Sequence, residues 1–158
     1  MEHEERFGRA LTRRAWLAAV AATACARAPA DPVPALLDEL TAAAEDRDAE
    51  RFSARLSDAF RGNGGLSRAD ALALLRRHFA AYESIGLSVY GVEVERGDDS
   101  ATVRCVVEFS GKARSLGGLQ GLLPPSAVYR FALETENESG VWRVRLAEWE
   151  PVVVDERS

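Results

Sequence analysis

At Leu87 the apolar residues of this chain stop recurring every three or four positions and begin to alternate. The first spacing puts side chains on one face of a helix and the second on one face of a strand, so a helical half precedes a sheet half. Leu36, Leu37, Leu40, Ala43 and Ala44 predict a first helix over 33–45, with Asp31 as its N-cap and Pro32 tolerated at its start. A second helix is expected from Asp48, carrying Phe52, Leu56, Ala59 and Phe60 on one side. Gly62-Asn63-Gly64-Gly65 stops it, because repeated Gly and Asn suit positive φ. Ser67-Arg68-Ala69-Asp70 reads as a capping box opening a third helix that runs to Ile85, before Gly86. His78 and Tyr82 stand one turn apart within the apolar arc of that helix.

Four alternating runs follow: Tyr90, Val92 and Val94; Val103 to Phe109; Tyr129, Phe131 and Leu133; Trp142, Val144 and Leu146. Turns at Gly97-Asp98-Asp99 and Glu138-Ser139-Gly140 separate strands whose second face is rich in Arg and Glu. Opposite charges there can pair across strands, each pair worth about 0.2–1 kcal/mol. The expected architecture is α+β, with three N-terminal helices packed on a curved four-stranded antiparallel sheet. A chain of 158 residues suits one such domain.

The helical stretch 36–45, the helix ending Phe79-Ala80-Ala81-Tyr82 and the closing strand Gly140-Val141-Trp142-Arg143-Val144-Arg145-Leu146 together resemble the NTF2-like (SnoaL/ketosteroid-isomerase-like) superfamily over residues 33–154. That resemblance implies a cone of sheet and helices with a pocket inside. The isomerase branch uses an acidic base with Tyr and acid donors; that set finds no residue-by-residue match here, so the activity does not carry over.

Inward parity on the last strand runs Trp142, Val144, Leu146, Glu148, Glu150, which puts Glu148 at a pocket mouth. His78 and Tyr82 approach from the opposing helix. A His oriented by a carboxylate is an acid/base pair, and Tyr82 would be a donor beside it. The plainer reading makes His78 a partly buried residue and Tyr82 a core-edge aromatic. A ligand pocket would be lined by His78, Tyr82, Tyr129 and Trp142 and hold on the order of a few hundred Å³. Trp149 has outward parity and marks either a homodimer surface on the sheet or a ring shielded by Val152-Val153-Val154. Cys105 reads as an inert buried thiol. His78 has no second His or Cys at ligand spacing, so no metal and no cofactor are implied. The connection over 110–127 holds Gly111, Gly117, Gly118 and Gly121 among Leu116, Leu119, Leu122 and Leu123. It is a lid, a docking patch for another protein or a short helix on the sheet edge; no G-K-[ST] follows, so it is no phosphate loop.

Residues 1–24 read as a targeting segment outside the fold. Thr12-Arg13-Arg14-Ala15-Trp16-Leu17 resembles a twin-arginine export signal, with Trp16 where Phe is usual, and Ala22-Thr23-Ala24-Cys25 resembles a bacterial lipobox, with Ala22 where Leu is commoner. That likeness implies that Cys25 becomes the first mature residue and takes acyl chains; a plain cleaved signal is the alternative. Residues 25–32 are then a lipid attachment site and Pro/Ala tether. Lys+Arg 20 against Asp+Glu 25 gives a formal charge of -5, which removes nucleic acid as a partner and leaves any membrane contact to the lipid. The expected function is an exported, lipid-anchored, non-catalytic domain of the cell envelope that binds a small apolar ligand or a protein partner. A small pocket enzyme using His78, Glu148 and Tyr82, and a structural envelope component, are the alternatives.

Overall fold

The computed structural model describes residues 30–114 and 126–153. In chain order the elements are α1 (Pro32–Glu45), α2 (Ala49–Ser53), β1 (Leu56–Arg61), a 3-10 turn (Asn63–Gly65), α3 (Arg68–Ala81), β2 (Tyr82–Arg96), β3 (Ser100–Ala113), β4 (Ser126–Glu138) and β5 (Val141–Pro151). Asp31 caps α1, its carboxylate accepting from Val33 N at 3.1 Å. The capping box of α3 forms in both directions: Asp70 N donates to Ser67 Oγ, and Ser67 N donates to the Asp70 carboxylate, each at 3.2 Å. The Ser67 hydroxyl also donates to the Asp70 carboxylate at 2.6 Å, and this bond, with the one from Ser67 N, holds the Asp70 carboxyl below its ordinary value.

Two expectations are corrected. The sheet has five strands in the order β1-β5-β4-β3-β2, not four. Leu56–Arg61, read as helix from its spacing, is β1 and pairs parallel with β5, Leu56 opposite Val144 and Arg61 opposite Leu146. A strand therefore interrupts the helices, which are not three in succession. The reason is arithmetic: Leu56 and Phe60, both buried, are four apart, and four is one helical turn but also an even number of strand steps. The third helix also ends earlier, at Ala81, because Tyr82 is already extended (φ -113, ψ 141) and β2 pairs with β3 from Tyr82 opposite Ala113 onward.

The remaining pairings, β2 to β5, are antiparallel. Register shifts in β2 at Tyr82/Ser84 and at Tyr90/Glu93, the second containing Gly91 at φ 61, bend the sheet. Its inner face presents Val103, Cys105, Leu133, Val144 and Ala147, and these pack toward Val33, Leu36 and Leu40 of α1, Phe60 of β1 and Ala71 of α3. Ala44, Ala49, Phe79, Tyr82 and Ile85 form a second cluster. The outer face carries the ion pairs that the alternation predicts, Arg104–Glu95 at 3.1 Å, Arg130–Glu150 at 2.7 Å and Arg145–Glu134. All are exposed, so each contributes about 0–1 kcal/mol.

One bulge decides which side chains reach the interior. Glu134 faces Leu146 while its neighbour Thr135 faces Val144, so β5 carries one extra residue at Arg145. Beyond it the parity flips. Ala147 is buried and Trp149 packs against the core, while Glu148 is exposed. The inward series read from the sequence is thus right at Val144 and wrong from Leu146 on. Residues 1–29, with the export signal and Cys25, and 115–125, with the leucines of the long connection, lie outside the described residues. β3 and β4 shorten that connection, reaching Ala113 and starting at Ser126.

Candidate functional site

A cavity of about 430 Å³ lies between the inner face of the sheet and the helices. α1 contributes Leu37, Leu40 and Thr41, α2 Phe52, β1 Leu56 and Phe60, and the following turn Leu66. α3 lines it with Ala71, Leu74, Leu75 and His78, one helical stripe. The sheet supplies Leu87 and Val89, then Cys105 and Val107, then Tyr129, Phe131 and Leu133, then Val144, Ala147 and Trp149. Its size falls in the range of small-molecule sites, about 300–1,000 Å³.

Among the described residues no Asp, Glu, Lys or Arg lines the cavity. Thr41 turns its hydroxyl to its own helix, donating to Leu37 O at 2.9 Å. Burial pushes the Cys105 thiol up, away from the reactive thiolate. Among the described residues no group of three His, Cys, Asp or Glu is placed to hold a metal ion, and no helix is long and apolar enough to cross a membrane.

Trp149 is a wall built from two directions. Its ring stacks on Phe131, centroids 6.0 Å apart and planes at 27°. Its backbone is held by the Asn63 amide, which donates from Nδ2 to Trp149 O at 2.7 Å and accepts from Trp149 N at 3.2 Å. Gly62 lies close beside it: a Cβ there would come 3.3 Å from the indole carbons Cη2 and Cζ3, a tight contact that would press on the ring.

His78 sits in the last turn of α3, exposed on one side and turned to the cavity on the other. Its ring lies 5.4 Å from that of Tyr82 and 6.2 Å from that of Phe109. Tyr82 is fully buried. It meets Phe109 edge-on at 5.1 Å and rests on Gly111, where a Cβ would come within 2.6 Å of Tyr82 Cδ1. The Arg47 guanidinium donates to Tyr82 O at 3.0 Å and fixes the corner between α3 and β2. Burial pushes the Tyr82 phenol up, and the nearby Tyr129 phenol adds a smaller push the same way.

Burial pushes the His78 imidazole down from its ordinary 6.5. The unfolded chain then takes up a proton before the folded one does, so stability falls as pH drops from about 6.5 toward the lower folded value. Urea midpoints measured from pH 7.5 to 5 should show that decline in the wild type and a flatter limb in His78→Phe. The depressed carboxyls, Glu83 beside Lys112 and Asp70, contribute stability that is lost only at more acid pH, below about 4.5.

Of the residues singled out from the sequence, His78 and Tyr129 line the cavity. Tyr82 lies behind His78 and outside the wall. Trp142 is half-buried against the core and lines nothing. Glu148 is exposed on the outer face, so it does not converge with His78. Trp149, read as outward, is a wall residue, and with it goes the feature that pointed to a dimer through the sheet. Trp149 was hidden because the bulge at Arg145 carries no Gly or Pro to mark it.

By sequence, no protein-family model and no curated protein matches the chain. By structure, it is similar to a candidate scytalone dehydratase from Novosphingobium aromaticivorans (TM-score 0.67, 12% identity, covering 80% of this chain and 87% of that one). It is also similar to a protein of the NTF2-like family from Streptomyces avermitilis (0.64, 17%, 78% and 95%). A third is the hexachlorocyclohexane dehydrochlorinase LinA-type3 from Novosphingobium barchaimii (0.62, 14%, 77% and 85%). At these identities the likeness is one of architecture, and it agrees with the helices and the bent sheet: the chain has the NTF2-like fold.

Proposed function

We propose that this chain is a non-catalytic, exported binding domain that takes a small apolar ligand beneath its sheet and is held at the cell envelope through lipid on Cys25. The observation that carries the binding reading is the wall itself, some 430 Å³ of space bounded almost wholly by Leu, Val, Phe, Ala and Trp side chains. Water in such a space has few polar partners, so an apolar guest displaces it at little cost. A half-open hollow of this size suits a small molecule rather than a protein partner. Export and lipidation rest on Thr12-Arg13-Arg14-Ala15-Trp16-Leu17 and Ala22-Thr23-Ala24-Cys25. Two or more acyl chains anchor stably, each buried CH₂ contributing about 0.8 kcal/mol.

A small pocket enzyme is the second reading. It is favoured by His78, an imidazole at the cavity wall whose protonation burial disfavours, and by the names of the dehydratase and dehydrochlorinase neighbours. Glu148 has no part in it. Native mass spectrometry of protein purified from its own host separates these. The proposal expects a non-covalent adduct of constant mass and an acylated Cys25. An adduct that changes mass on standing supports the enzyme, and a bare, unacylated polypeptide overturns the proposal.

A further inference from the structure

Resting on that binding reading, we infer that the ligand is an uncharged molecule with an apolar body and one hydrogen-bonding group, the group lodged between His78 and Tyr129. The cavity is graded along the strands. Tyr129 lies opposite Val107, which lies opposite Val89, and His78 at the end of α3 lines the cavity at the same end, its ring 6.2 Å from that of Phe109, two residues along β3 from Val107. The next row is Cys105, Phe131 and Trp149, and beyond it come Leu133, Ala147 and Val144, with Leu56 beside Val144 on β1. Apart from Thr41, whose hydroxyl serves its own helix, the weak Cys105 thiol and the donor-only indole N–H of Trp149, the hydrogen-bonding side chains of the wall are His78 and Tyr129, the two that both donate and accept.

Those atoms are also available. Among the described residues neither the His78 imidazole nor the Tyr129 hydroxyl takes part in a hydrogen bond, and neither is a sealed, unsatisfied buried group. A phenol donates and accepts, and a neutral imidazole does both through its two nitrogens, so an alcohol, a ketone or a phenol would find a partner in either sense. A carboxylate or ammonium would find the same partners but no fixed charge in the described wall to compensate it, and an uncompensated ion is far costlier to bury than a neutral polar group. His78 does not supply that charge at neutral pH, since burial disfavours its protonation.

Calorimetric titration of the full-length protein at pH 7.5 with four compounds of one shape tests this: naphthalene, 2-naphthol, 2-naphthoate and 2-naphthylmethylamine. The inference expects 2-naphthol to bind about threefold to tenfold more tightly than naphthalene, the usual net effect of one hydrogen bond. It expects both ions to bind at least about tenfold more weakly than 2-naphthol. In the His78→Phe/Tyr129→Phe double variant the ratio of 2-naphthol to naphthalene affinity should fall to about one. Equal affinity for naphthalene and 2-naphthol in the wild type, or tightest binding of either ion, overturns this inference and leaves the apolar-ligand reading standing. Failure of all four to bind overturns that reading itself.

Discussion

Tyr82→Ala is expected to lower folding stability by about 3–5 kcal/mol, the range for removing a large ring from a packed interior. Tyr82 is fully buried at the corner where α3 becomes β2, and two elements meet on its ring: α3 through His78, and β3 through Phe109 and the bare backbone of Gly111. Gly111 cannot fill the gap, since it has no side chain, and Phe109 is held in its own strand pairing opposite Leu87 and Ala127. The void would therefore persist. It would also loosen His78, which leans on the ring it lost. Urea denaturation of the purified variant measures the effect; a loss under about 1 kcal/mol would mean that the corner can repack and that Tyr82 is not its keystone.

Cys105→Trp is expected to weaken binding of an apolar guest at least about tenfold, or about 1.4 kcal/mol, while the protein stays folded. Cys105 is buried on the inner face of β3, between Val103 and Val107 and opposite Phe131, and its side chain points into the hollow. An indole there extends into space already present, so the usual penalty for overfilling a packed core does not apply in full. Filling a void commonly raises stability by about 0.5–2 kcal/mol. The two readouts move in opposite directions, which separates occlusion from unfolding. Unchanged affinity for 2-naphthol beside a folded variant would place the guest elsewhere.

The features legible in the sequence were those whose spacing fits one period alone. α1 and the capping box of α3 appeared within a residue of their expected starts, because Asp31 and Ser67 satisfy orphan amides in a way few other residues do. The four antiparallel strands were legible from alternation, and so was the ion-paired outer face. β1 was not, since Leu56 and Phe60 satisfy both periods at once and only the neighbouring β5 chooses between them. Within the site, His78 and Tyr129 were legible as polar residues on apolar faces. Glu148 and Trp149 exchanged places because a single inserted residue at Arg145 reverses everything after it, and a bulge of that kind is set by how β4 and β5 twist together. Tyr82 was expected in the helix and instead opens the strand, which moved it from the wall to the packing behind the wall.

The central claim is that the bent sheet keeps an apolar guest on its helix-facing side. Intermolecular nuclear Overhauser contacts between 2-naphthol and the methyl groups of the protein measure this directly. Contacts to Val107, Leu133 and Val144 are the predicted result, since all three line the cavity. Contacts confined to Val106, Val128 and Leu146, which alternate with them on the opposite face of the same strands, would contradict it.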